Sequence, residues 1–249
     1  MFRALLLLLA MTLPLSATIV EYSPVANALN GVTALSDSPA DYALSPVIGV
    51  TGLSCFYHKL FNTSGISVYG LHNAFAKYPF ILAVGTTYLD NPEYRYYDPY
   101  LSLSLNLDGA ALGYTQHLVY DSIQGSDARY KWLGDVALRI DSGDYGSEVK
   151  YIRMGSDDAQ LHLTATAALS EGIDTATSYV WEPKGKSFFC ASASTSFTKY
   201  FALYSSWQTE PARFGVGIRI IVNDFSVIYA VRSHPELDLS HSFGFEAHW

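Results

Sequence analysis

The stretch Leu101-Ser102-Leu103-Ser104-Leu105-Asn106-Leu107-Asp108-Gly109-Ala110-Ala111-Leu112-Gly113-Tyr114 decides the fold of this chain. Leucines at every second position alternate with small polar residues, a period of two that sets an apolar face of a strand against a polar one. Asp108-Gly109 is a two-residue hairpin turn, which pairs Leu107 with Ala110 and must move the apolar set from odd to even numbers. Leu112, Tyr114, Leu118 and Tyr120 obey this, broken only by Gln116. The same handover occurs at Asn223-Asp224, where Phe214, Val216, Ile218, Ile220 and Val222 give way to Phe225, Val227, Tyr229 and Val231.

Working outward, the opposite faces carry Ser102, Ser104, Asn106, Gly113, Thr115 and His117, then Gly215, Gly217, Arg219, Ser226 and Arg232. Alternation alone fits a soluble sandwich as well as a barrel. Segment length separates them. From about residue 50 the chain divides into about fourteen segments, and most have the nine to eleven residues of a tilted membrane-crossing strand rather than the five or six of a globular one. Tight turns alternate with longer connections, notably Asp90 to Tyr97, Asp121 to Arg129 and Ser233 to Leu237, which gives one short-turn rim and one long-loop rim. The expected fold is all-β: a transmembrane antiparallel up-and-down β-barrel of about fourteen strands, both termini on the short-turn side. Tyr94, Tyr96, Tyr97 and Tyr100 bunch where an interfacial aromatic girdle belongs.

Composition agrees. Of 249 residues, 49% are hydrophobic, 14% aromatic and only 15% charged, against roughly 25% charged in ordinary soluble domains. The net charge of −8 supplies no clustered cation surface for nucleic acid. Residues 1–17, with Arg3, the apolar run Leu5 to Leu9 and closing Ser16-Ala17, read as a secretory signal peptide. No later stretch is long and apolar enough for a membrane-spanning helix. Residues 18–49 do not alternate and read as a short N-terminal plug or periplasmic segment, the plug preferred because a barrel of this size has a lumen to fill. Residues 50–249 are then the barrel. Cys55 and Cys190 read as two free, buried thiols.

Seven histidines (His58, His72, His117, His162, His234, His241 and His248) are scattered without metal-ligand spacing, so neither a metal nor another cofactor is expected. No nucleophile elbow, P-loop or dinucleotide motif is present, and the adjacent Ser240 and His241 point to opposite faces of one strand. The protein reads as a non-enzyme without catalytic residues. Its lumen-facing candidates are Arg219, Arg232, Asn106 and His117, with the two arginines pairing to acids such as Asp135 or Glu148.

Two stretches resemble a known family. Gly31-Val32-Thr33-Ala34-Leu35-Ser36-Asp37-Ser38-Pro39-Ala40 is similar to the glycine-led, acidic N-terminal segment of FadL-like outer-membrane barrels, especially their short PorV/PorQ relatives associated with type IX secretion. His234 to Phe243 resembles the closing strand of the same group. Ser45-Pro46-Val47 stands where the family has Asn-Pro-Ala, and Asp238 replaces its usual glycine. The resemblance implies residence in the outer membrane of a Gram-negative-type bacterium and a role accessory to protein secretion or surface attachment, with secretion-system proteins as partners. The alternative is a FadL-like channel for hydrophobic small molecules, and the less favoured one an outer-membrane hydrolase. Phe243, Phe245, Ala247 and the terminal Trp249 resemble the signal read by barrel-assembly machinery, and outer-membrane lipid is the remaining expected partner.

Overall fold

The computed structural model describes residues 23–249, except 64, 184 and 186. The signal peptide expected over 1–17 and the start of the segment expected from 18 lie outside the described residues. Fourteen strands follow one another: β1 Gly52–Lys59, β2 Ser67–Lys77, β3 Phe80–Asp90, β4 Tyr94–Leu107, β5 Ala110–Ile123, β6 Arg129–Ser142 and β7 Tyr145–Met154, then β8 Gln160–Ser170, β9 Ile173–Trp181, β10 Phe188–Thr198, β11 Phe201–Gln208, β12 Arg213–Val222, β13 Phe225–Arg232 and β14 Ser240–His248. Each pairs with its neighbours in sequence, and β14 closes on β1 with Gly52 opposite His248 and Lys59 opposite His241. A closed barrel leaves no strand edge unpaired, which a lipid environment demands.

Both turn-based register expectations hold. Leu107 is opposite Ala110, and Val222 is opposite Phe225. Leu103 and Val216 are each 52% exposed, while Ser102, Ser104 and Thr115 are buried. The oily face therefore points outward all round the wall and the small polar face points in. Trp132, Trp181 and Trp207 stand exposed near the long-loop rim, and Trp249, Tyr78, Tyr145 and Tyr200 near the short-turn rim. These rings mark the two interfaces where amphipathic aromatics settle.

Three expectations need correcting. The connection expected from Asp90 to Tyr97 shrinks to residues 91–93, because β4 already begins at Tyr94. The tyrosine bunch is accordingly not one girdle: Tyr97 points outward, whereas Tyr96 and Tyr100 lie on the even-numbered inward face and are buried. Cys55 is exposed rather than buried, since odd positions of β1 face outward; Cys190 is buried, and both thiols are free. The pairing of β6 with β7 shifts between Gly134 and Val136, and that of β10 with β11 between Ser196 and Thr198.

Residues 23–48 fill the interior. Ser23 caps the short helix α1 (Pro24–Ala28), its Oγ accepting from the Ala26 amide at 2.9 Å. Two 3-10 turns follow, Thr33–Leu35 and Pro39–Ala43, the second capped by Ser38. Nearly every side chain here is buried. The wall makes room with glycines. A Cβ added at Gly217 would lie 2.7 Å from the Ala28 Cβ, one at Gly113 would lie 2.6 Å from the Pro46 Cβ, and one at Gly244 would lie 2.9 Å from the Pro24 Cγ. The small inward face seen in the sequence is thus a seat for this inner segment.

Candidate functional site: the filled lumen

The lumen has two unlike halves. Along β6–β14 the wall holds the inner segment through polar groups. Lys150 Nζ donates to Thr33 Oγ1 at 2.7 Å and to Gly31 O at 3.3 Å, and the Thr33 hydroxyl donates to Glu148 Oε1 at 2.9 Å. Arg139 Nη1 donates to Ala34 O at 3.1 Å, Ser192 Oγ to Leu29 O at 3.1 Å and Ser206 Oγ to Ala28 O at 2.6 Å. Asn27 Nδ2 donates to Ser242 Oγ at 3.0 Å. Most of these take up carbonyls and caps of a chain too short to satisfy itself, which is why burial of so much backbone is tolerable.

Arg219 is the centre of this polar half. It is 2% exposed, donates from Nη2 to Glu246 Oε2 at 2.5 Å and also pairs with Asp37 of the inner segment. Tyr204 Oη donates to the same Asp37 at 3.0 Å, and Ser38 Oγ donates to Glu246. A cation buried here is held by two carboxylates, one on the wall and one on the insert, as burial of charge requires. The acids proposed from sequence as its partners sit elsewhere: Asp135 is on β6 and Glu148 on β7, across the lumen from β12.

Along β1–β5 and the start of β6 the wall carries two buried apolar clusters among polar groups such as His72, Asp98, Ser102 and Thr115. Phe56, Leu60, Val68, Leu89, Val119 and Leu133 form one buried cluster with Ala40 toward the long-loop end. Tyr42, Leu44, Ile48, Ala74, Ala83 and Tyr100 belong to a second cluster toward the short-turn end. Between them runs a row of rings: Phe56 stacks on His72 at 5.2 Å between centroids, His72 on Tyr100 at 5.5 Å, and Tyr100 meets His117 at 5.7 Å. Gly70 and Gly85 let His72 lie flat on the wall; a Cβ at Gly85 would lie 2.4 Å from its Nδ1.

The structure places the four lumen candidates as follows. His117 is held between Asp98 at 2.9 Å and Asp135 at 3.3 Å. Arg219 is the clamp just described. Asn106 lines a cleft at the short-turn mouth beside Gly49. Arg232 ends β13 at the long-loop rim, opposite Gly215 and Ser240. The four do not converge on one point. Asp37, Glu246, Lys150, Tyr204 and Tyr42 were missed by sequence reasoning. The even-numbered charges Glu148, Lys150 and Glu246, set on otherwise apolar strands, were the available signal. Among the described residues no three His, Cys, Asp or Glu side chains are grouped as a metal ion needs. Two adjoining clefts of about 260 and 380 Å3, sharing Ile48, Arg139 and Asp141, open beside the inner segment at the short-turn mouth.

No family model matches the sequence, and no curated protein matches it. In structure the chain is similar to the toluene transporter TbuX of Ralstonia pickettii, at 11% identity over 92% of this chain and 98% of that one, TM-score 0.69. It is similar to the monoaromatic hydrocarbon channel CymD, at 10% identity over 93% and 98%, TM-score 0.72. It is similar also to the toluene transporter TodX of Pseudomonas putida, at 8% identity over 92% and 98%, TM-score 0.67. At these identities the likeness is one of fold alone, a closed β-barrel.

Proposed function

We propose that the protein is an outer-membrane channel for small, uncharged hydrophobic molecules, held shut by residues 23–49. The observation that carries this is the buried apolar cluster of Phe56, Leu60, Val68, Leu89, Val119 and Leu133, packed with Ala40 toward the long-loop end of the lumen. An inward-facing apolar surface has no use in a water-filled pore, whose lining is polar. It suits a solute that leaves water for oil. Among the described residues, the inward faces of β1–β5 bear no Lys or Arg, and Asp98 there is paired with His117 at 2.9 Å; Arg153 of β7, the cation that reaches this cluster, is engaged with Tyr96 Oη at 3.1 Å. The fold shared with toluene and monoaromatic hydrocarbon channels supports the same reading. The secretion-accessory role implied by the PorV/PorQ resemblance draws no support from those likenesses.

The test is uptake of labelled toluene by a Gram-negative host that lacks its own hydrophobe channels and expresses this protein. Saturable uptake above vector-only cells is expected. Uptake equal to vector-only cells, with a secreted protein co-purifying with the native barrel, would replace the channel by the secretion role.

A further inference from the structure

The inner segment is fastened to the barrel mainly on one side; outside β6–β14 the wall offers it Thr115 of β5 at Tyr42 O and His58 of β1, 3.4 Å from Asn27 Nδ2. The polar bonds described above tie residues 27–38 to β6–β14. The following stretch, residues 42–50, closes most of its hydrogen bonds on itself. Tyr42 Oη donates to Val50 O at 3.0 Å and accepts from Gly49 N at 3.1 Å, while the amides of Leu44 and Ser45 donate to Asp41 O at 2.8 and 2.9 Å. From the wall it takes Thr115 Oγ1, donating to Tyr42 O at 3.1 Å. Its side chains Tyr42, Leu44 and Ile48 otherwise meet Ala74, Ile81, Ala83 and Tyr100 of β2–β4, and Pro46 rests on Gly113 of β5.

Parting two apolar surfaces around an apolar solute strands few polar groups, whereas parting the other side would strip Asp37 from Arg219, Thr33 from Lys150 and Glu148, and Ser38 from Glu246, wall groups that are all buried. Resting on the channel reading, we infer that solutes pass along the seam between residues 42–50 and β2–β5, with the inner segment staying fastened to β6–β14. The route begins by parting the Phe56 cluster, passes the ring row at Tyr100, and leaves through the cleft lined by Val47, Gly49, Asn106 and Ala111. Tyr42 and Tyr100 are the side chains that must turn aside to let a solute through. The inner segment is then one wall of the passage rather than a stopper that leaves it.

Two reversible staples test this in a Cys55→Ser, Cys190→Ala background, with the same toluene uptake assay. Pro46→Cys with Gly113→Cys bridges the apolar seam, and Ala28→Cys with Gly217→Cys bridges the polar side. Both pairs lie within about 1–2 Å of the Cβ separation a disulfide needs. Oxidation is expected to abolish uptake through the first pair, with recovery on reduction, and to leave uptake through the second unchanged. Loss of uptake on oxidising the second pair, or its persistence on oxidising the first, overturns the route while the channel reading stands. Unstapled protein without uptake removes the channel reading itself, and the route with it. Should a cysteine pair fail to fold, Ile81→Ala on the seam and Ile228→Ala on the far side are compared. The first is expected to raise the initial rate several-fold and the second to leave it unchanged; the opposite order overturns the route.

Discussion

Arg219 of β12 and Glu246 of β14 meet inside the barrel at 2.5 Å, across the strand that separates them, and both are shielded from water. Replacing the cation alone, as in Arg219→Met, leaves Asp37 without its counter-charge and Glu246 with only the His248 ring, 3.3 Å away, to balance its charge. A loss of about 3–5 kcal/mol is expected, the cost of breaking a buried pair from one side. The measurement is the temperature at which the folded barrel loses its fast electrophoretic mobility. The double change Arg219→Met with Glu246→Gln is expected to recover part of that loss; a double variant no better than the single would show that Glu246 is not the partner that matters.

Gly217 faces Ala28 so closely that a branched side chain there displaces α1, beyond the shift of about 1 Å a bonded cysteine pair requires. Gly217→Val is expected to leave the barrel folded and to expose the inner segment to protease from the short-turn side. Limited proteolysis with mass mapping reads both. Protection equal to the parent protein would mean that the segment is not seated on this glycine.

Asp41 lies wholly within the insert, where burial pushes its carboxyl up to about 7 against the opposing hydrogen bond from Ser36, and Glu246 adds to the rise. The folded state then holds a proton that an unfolded aspartate has released by about pH 4. The contribution to stability is complete below that value and is lost as pH rises through 7. Hydrogen exchange of residues 23–49, corrected for intrinsic rates, is expected to be slower at pH 5 than at pH 8. Asp41→Asn is expected to flatten the difference; a wild-type trend in the other direction would exclude the linkage.

Leu103→Arg and Val216→Arg place a charge on the outer wall and are each expected to cost about 2–4 kcal/mol if their positions lie near mid-bilayer. Denaturant titration in lipid vesicles measures it. A cost near zero at both sites would mean that these side chains do not face hydrocarbon.

The fold was legible because its two deciding turns, Asp108-Gly109 and Asn223-Asp224, flank strands whose faces differ sharply in polarity. Register followed from turn length and needed no long-range information. The lumen was less legible for a physical reason. Alternation says which side chains point inward, but not which of them meet across the interior, because that depends on closure of the whole ring. Arg219 could be assigned to the interior from its place among Gly215, Gly217 and Ile218. Its pairing with Glu246 required knowing that β12 and β14 stand two strands apart, while Asp135 and Glu148 stand on the far wall. The insert was harder still. Asp37 and Asp41 sit in a stretch without periodicity, where only the Ser-Pro pair at 38–39 announces a capped turn. The tyrosine bunch misled because four nearby rings look like one belt until strand alternation sends Tyr96 and Tyr100 inside.

The strand that completes the ring, β14, is also the strand that carries Glu246 and Ser242, two of the groups that grip the insert. Closing the ring against β1 and gripping residues 27–38 therefore fall to the same strand. A defect in this last strand would loosen at once the cylinder and what it encloses.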